Sequence, residues 1–182
     1  MTQPATKWSF INTLPAIRPR PEVVRPAPAD RLALETLLIE LVGGCRRLAP
    51  GTVLGLNTRQ CHAATIDPEE AATLQFAICE IVSNAYRFAH PDGHATEVMI
   101  ECRASPNGEI VIEIGDDGIG LAPDFAEWRD SGSGMLAVRA KMQHIQAMLN
   151  VTSDDLGLRF QIILHPSRRI RTNPARGNFV WL

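Results

Sequence analysis

Apolar residues set the first outline of this chain. Leu32, Leu34, Leu37, Leu38, Leu41 and Val42 recur at helical spacing, which predicts a helix starting at Asp30, its N-cap, and weakened at its end by Gly43-Gly44. From Thr52 to Thr58, Val53, Gly55 and Asn57 alternate with Leu54 and Leu56, the period of a short strand. Asp67-Pro68-Glu69-Glu70 combines an N-cap acid, proline at the first helical position and a glutamate three residues after the cap. The helix it opens should run to about Phe88, with Ala71, Leu74, Ile78, Ile81, Val82, Ala85 and Phe88 facing a core.

Two period-two runs follow, Val98-Ile100-Cys102 and Ile110-Ile112-Ile114, and Ser105-Pro106-Asn107-Gly108 between them reads as a hairpin turn. A glycine-rich stretch from Asp116 to Gly134 leads into a helix presenting Met135, Val138, Met142, Ile145 and Leu149. A last strand carries Phe160, Ile162 and Leu164. The order helix, strand, helix, two strands, loop, helix, strand lacks the alternation of a doubly wound fold. It predicts an α+β chain folded as a two-layer α/β sandwich, with an antiparallel or mixed sheet and helices on one face.

Length and composition narrow this outline. With 182 residues, 45% of them hydrophobic, the chain suits one domain of about 130–150 residues plus some unpacked sequence. Six of the 13 prolines fall within the first 28 residues, which marks 1–29 as an extended arm. The domain proper is expected at 30–166, and 167–182 forms a tail with Arg168, Arg169, Arg171 and Arg176 ahead of Phe179-Val180-Trp181-Leu182. A formal charge of −2 argues against a general nucleic-acid or membrane-surface binder. No apolar run approaches the length that spans a bilayer, and the first residues lack a signal-peptide pattern, so a cytoplasmic location is expected. Cys45, Cys61, Cys79 and Cys102 are widely spaced and read as free, mostly buried thiols.

Three short segments can carry chemistry. Glu80, Asn84 and Arg87 share a stripe of the second helix, where an acid, an amide and a guanidinium could hold a metal and phosphates; a solvated helix face would look the same. In Gly115-Asp116-Asp117-Gly118-Ile119-Gly120, the pleat points Asp116 to the side of Ile110, Ile112 and Ile114. With no donor in its own neighbourhood, that carboxylate is a candidate acceptor for a ligand amine, and Gly118 and Gly120 leave room for the ligand; a plain turn is the competing reading. Ser131-Gly132-Ser133-Gly134 opens a helix whose free N–H groups suit a phosphate chain, although a linker and N-cap have the same composition.

Taken together and in this order, Glu80-x-x-x-Asn84-Ala85-x-Arg87-Phe88, Asp116-x-Gly118-x-Gly120 and Gly132-x-Gly134-Met135 resemble the GHKL-type ATP-binding superfamily of histidine kinases, gyrase and MutL. Within it, the chain is most similar to the catalytic ATP-binding domain of bacterial sensor histidine kinases, over about Asp67 to Pro166. The resemblance implies a Bergerat-type ATP-binding fold with ATP and Mg²⁺ as ligands. It implies that Asn84 coordinates Mg²⁺, that Glu80 is the acid/base or water-positioning residue, that Arg87 approaches the phosphates and that Phe88 lines the nucleotide pocket. Asp116 would accept from the adenine amine, Gly118, Ile119 and Gly120 would shape the base pocket, and Gly132 and Gly134 would cradle phosphates.

The chain departs from the sensor-kinase pattern twice. His62, His90, His94, His144 and His165 are followed by Ala, Pro, Ala, Ile and Pro, so none has the acidic follower of a phosphoacceptor histidine, and none is assigned a role. The late glycine turn is reduced to Gly157 in Asp155-Leu156-Gly157-Leu158-Arg159, and Met148-Leu149 stands where a glycine pair is common. The function implied is Mg-ATP-dependent phosphoryl transfer to a signalling protein in trans, in a two-component or anti-sigma type pathway. The alternative is a catalytically inactive module of the same fold that regulates a partner by binding. Partners are then ATP and one protein, with no nucleic acid and no membrane insertion.

Overall fold

The computed structural model describes residues 31–122 and 131–165. The arm at 1–29, the tail at 167–182 and the Asp30 cap lie outside the described residues. Ten elements follow in the order β1 (Leu32–Ala33), α1 (Leu34–Leu48), β2 (Val53–Gln60), β3 (Thr65–Ile66), α2 (Pro68–Phe88), β4 (Glu97–Ala104), β5 (Ile110–Asp116), α3 (Ser133–His144), β6 (Met148–Asp154) and β7 (Gly157–Leu164). A five-stranded sheet has the order β2-β4-β5-β7-β6, in which only β2 and β4 run parallel. β1 and β3 form a separate antiparallel pair. The fold is therefore mixed α+β with a mostly antiparallel sheet, as the periodicity predicts.

One face of the sheet carries the core. Ile100 and Cys102 of β4, Ile110, Ile112 and Ile114 of β5, Leu149 and Val151 of β6, and Phe160, Ile162 and Leu164 of β7 are all buried. They join Leu38, Val42, Leu74, Ile78, Ile81, Val138 and Met142 of the three helices in one cluster. Full burial of such side chains contributes on the order of 1.5–3 kcal/mol each, so this layer fixes where the ends of α2 and β5 sit. The opposite face is polar. Arg103, Glu113, Gln161 and Asn150 form a hydrogen-bonded row across four strands, with Glu113 accepting from Arg103 and from Gln161 (2.9 Å) and Gln161 accepting from Asn150 (3.2 Å).

The helix start at Asp67 is built as its sequence requires. Asp67 accepts from Glu70 N–H at 2.8 Å, Glu70 accepts from Asp67 N–H at 3.1 Å, and Pro68 opens the helix. The β4–β5 hairpin also forms, with Gly108 at φ +87° in the turn and its N–H donating to Ser105 O at 2.9 Å. All four cysteines are free; Cys45, Cys61 and Cys102 are buried, and Cys79 is half-buried. Cys45 and Cys79 bring α1 and α2 together with their Sγ atoms 3.7 Å apart, and burial pushes the Cys45 thiol up to about 12.

The sequence outline needs three corrections. Gly43 and Gly44 lie inside α1, which continues to Leu48; packing of Leu41, Val42 and Cys45 outweighs a glycine penalty of about 1 kcal/mol per residue. Leu149 belongs to β6, because α3 stops at His144 and Gln146 takes φ +57°, turning the chain back into the sheet. Phe88 continues the apolar stripe of α2 in sequence, yet it is 62% exposed at the last turn.

Candidate functional site

α2 and α3 lie antiparallel, joined along their length. His144 at the end of α3 meets Glu69 at the start of α2 (2.8 Å), and Lys141 stands over the Phe76 ring at 5.1 Å. At the other end, Gly134 faces Glu80. A Cβ on Gly134 would run into the Glu80 carboxylate, so the first turn of α3 comes this close only because the residue is glycine. Gly132 is the N-cap of α3 and makes no side-chain cap bond. The opening N–H groups of a helix have no partner within it, and here they stand beside the Glu80 turn of α2.

One turn further on, Asn84 and Arg87 are linked. Arg87 donates to Asn84 Oδ1 at 2.7 Å and to Ser83 O at 3.2 Å, and its guanidinium lies 5.1 Å from the Phe88 ring centre. Acid, amide, cation and aromatic ring thus occupy one side of the C-terminal half of α2. Sequence spacing places them there, and the structure adds that Arg87 bonds the amide oxygen of Asn84.

Asp116 ends β5 on the face of Ile110, Ile112 and Ile114. The expectation that it lacks nearby donors is corrected here. Asp116 Oδ1 accepts from Gly118 N–H at 2.9 Å and from Leu158 N–H at 3.1 Å. Burial nonetheless raises its pKa above the ordinary carboxylate value; the two N–H bonds pull it down, the neighbouring Asp117 charge pushes it up and His90 lowers it. Leu158 reaches Asp116 because residue 157 is glycine at φ +123°, where any Cβ would collide with Asp116 O. The lone glycine left in the late turn therefore has a definite task.

The loop after Asp116 is seated on two elements. Gly118 packs on the end of α2, where a Cβ would lie 2.6 Å from Ala89 Cα, and Ile119 N–H donates to Ala89 O at 3.0 Å. Gly120, at φ +70°, comes against Ser153 and Asp154, and Leu121 N–H donates to Ser153 Oγ at 2.7 Å. The Ile119 side chain is 65% exposed. Asp117 extends the β4–β5 pairing, since its N–H donates to Glu97 O (3.2 Å) and its Oδ1 accepts from Glu97 N–H (2.9 Å). Partial burial works to raise the Asp117 carboxyl, but the Glu97 N–H and the His90 ring outweigh it and hold the group below its usual value.

The segments singled out in sequence thus converge on the C-terminal half of α2. Glu80 meets Gly134, and the Asp116–Gly120 loop docks on Ala89. Residues 123–130 lie outside the described residues. Sequence reasoning missed the N–H of Leu158, the Oγ of Ser153 and the pairing of His90 with Asp117. Gly157 was the one available signal for the first of these; the others arise only from tertiary contact.

Comparison with known proteins identifies relatives of the fold. The family described as "Histidine kinase-like ATPase domain" matches residues 51–159, more than half of the chain. No curated protein matches it. Among solved structures, the histidine kinase domain of the blue-light activated histidine kinase EL346 from Erythrobacter litoralis is similar with a TM-score of 0.66 at 20% identity, over 79% of this chain and 72% of that one. Acinetobacter baumannii histidine kinase AdeS gives 0.60 at 15% identity, over 75% of this chain and 66% of that one. The mycobacterial sensor histidine kinase MprB gives 0.55 at 16% identity, over 74% of this chain and 95% of that one. Against the longer structure of the Erythrobacter kinase the chain spans only 44% of the length. At these identities the likeness is one of fold, and with the family match over 51–159 it places the chain in the histidine kinase-like ATPase domain family.

Proposed function

We propose that the chain binds Mg-ATP and transfers the γ-phosphoryl group to a separate signalling protein in the cytoplasm, in a two-component or anti-sigma type pathway. The observation that carries this reading is the seating of Asp116. Two backbone N–H groups hold its Oδ1, and no partner of Oδ2 is found among the described residues, so the carboxylate is oriented with one oxygen directed to a ligand amine such as that of adenine. Gly118, Ile119 and Gly120 then border the base, and the exposed Phe88 ring stands at the end of α2 next to Ala89, on which the loop rests. Gly132 and Gly134 bring the start of α3 to the phosphates, where helix N–H groups suit an anion.

The donor set fits a magnesium ion that arrives with the nucleotide. Asn84 Oδ1 is a hard oxygen ligand, and no group of three or more His, Cys, Asp or Glu side chains suited to hold a metal occurs among the described residues. Mg²⁺ commonly takes one or two protein ligands and completes its shell with water and phosphate oxygens. When bound it neutralises charge on the triphosphate. Arg87, which bonds Asn84 Oδ1 at 2.7 Å, exchanges that oxygen for the phosphates. Glu80 accepts the proton of the attacking acceptor side chain as the acceptor–phosphorus bond forms and the bond from phosphorus to the ADP oxygen breaks.

No helix among the described residues is long and apolar enough to cross a membrane. Each histidine lacks the acidic follower of a phosphoacceptor, which supports an acceptor in trans, either a histidine protein or a serine on an anti-sigma antagonist. Labelled ATP with candidate acceptors tests this. Acid-labile product identifies phosphohistidine, and acid-stable, alkali-labile product identifies phosphoserine. The hydrogen bond from Arg87 to Asn84 favours a second reading, a binding module with its metal ligand permanently engaged. Binding of the nucleotide without transfer to any acceptor would select it.

A further inference from the structure

We propose that His90 is a positioning residue for nucleotide binding, acting through Asp117 to hold the Asp116–Ile119 loop on the end of α2. The inference rests on the nucleotide reading above and assigns a part to a side chain outside the three motifs. His90 is the first residue beyond the C-cap Ala89, and its side chain is 17% exposed. Its Nε2 donates to Asp117 Oδ1 at 2.9 Å, and the same oxygen accepts from Glu97 N–H at 2.9 Å. Asp117 adjoins Asp116, so fixing its side chain fixes the backbone that directs the neighbouring carboxylate.

Around that bond the loop and the helix end touch twice more, through Gly118 against Ala89 and through Ile119 N–H to Ala89 O at 3.0 Å. These are backbone contacts that any sequence with glycine at 118 could make. The His90–Asp117 bond is the side-chain tie between the same two elements. His94 meets the His90 ring edge-on with centroids 6.2 Å apart, and Asp92 bonds His94 Nδ1 at 2.7 Å. His90 also faces the Asp116 carboxyl electrostatically. The tie therefore couples α2, which carries Glu80 and Asn84, to the loop beside the base acceptor, and so sets the distance between the two halves of the site.

The test compares wild type, His90→Ala, His90→Gln and Asp117→Ala by calorimetric titration with Mg²⁺ and a non-hydrolysable ATP analogue. Amide hydrogen exchange at Gly118 and Ile119 is followed in the free proteins. Loss of one hydrogen bond to a charged acceptor should weaken the analogue about tenfold in His90→Ala, and Asp117→Ala, which also loses the bond from Glu97 N–H, should weaken it at least as much. Exchange at Ile119 should accelerate in both. His90→Gln, whose Nε2 can reach the same oxygen, should bind within about twofold of wild type. Unchanged affinity in His90→Ala, or no recovery in His90→Gln, overturns the role of His90 while leaving the nucleotide site standing. If His90→Ala is unfolded, Asp117→Ala and the exchange data decide. Failure of a folded wild type to bind removes the nucleotide reading itself, and this inference with it.

Discussion

Gly157 and Asp116 touch backbone to backbone across β5 and β7, and a single methyl group on Gly157 would occupy the space of Asp116 O. The contact admits Leu158 N–H to the Asp116 carboxylate. Gly157→Ala should therefore both strain the β6–β7 turn and tilt Asp116. At φ +123° an L side chain costs on the order of 1–3 kcal/mol, so thermal unfolding should move down by several degrees and nucleotide affinity should fall with it. Unchanged melting and unchanged affinity would mean that the turn adapts freely.

Asp116 also predicts a pH dependence. Burial holds its carboxyl above the ordinary carboxylate range, so between the unfolded and folded pKa values the folded chain carries the extra proton. By linkage, the stability owed to this group declines as pH rises through that window, and it stays at the lower level above the folded pKa. Asp116→Asn removes the decline, so at neutral pH it should melt at or above the wild-type temperature. Ligand binding has the opposite sign, because an amine is accepted best by the ionised form. Affinity should be full above the folded pKa and fall as pH drops through it, a step that Asp116→Asn should abolish. Asp117 and His90 face the same carboxyl and shift the position of the step without reversing it.

Gly134→Ala separates chemistry from folding. The added methyl meets the flexible end of Glu80, which can swing aside, so the protein should fold with near wild-type melting. The displaced carboxylate should slow γ-phosphoryl transfer to the acceptor on the order of tenfold to a hundredfold, with a much smaller change in nucleotide affinity. Parallel loss of affinity and rate would place Glu80 in binding rather than in proton transfer.

Asp67→Ala tests a part of the fold remote from the nucleotide motifs. It removes one half of the reciprocal pair with Glu70 at the start of α2 and should cost about 1 kcal/mol in denaturant unfolding. Nucleotide affinity should be unchanged, since the cap is at the far end of the helix from Asn84.

The Asp67 cap is also where the sequence is most readable, because its donors and acceptors are three residues apart and no tertiary contact is needed. The β4–β5 hairpin is readable for the same reason. β1 and β3 are two residues each, too short for a period to register. β6 is hidden because Leu149 falls in phase with Met142 and Ile145 on the α3 face, and Gln146, not glycine, takes the left-handed turn that ends the helix. At the site, Glu80, Asn84, Asp116 and the glycines are legible as motifs. The donor to Asp116 from Leu158 is a backbone group 42 positions away, and the His90–Asp117 pair spans 27, so neither leaves a local pattern.

The most direct test of the account is calorimetric titration of Mg²⁺ and a non-hydrolysable ATP analogue into wild type and Asp116→Asn at neutral pH. The account predicts saturable binding by wild type and a loss of roughly tenfold to a hundredfold in the variant, the worth of one hydrogen bond to a charged acceptor. A folded wild type that binds nothing, or an Asp116→Asn protein that binds equally well, would contradict it.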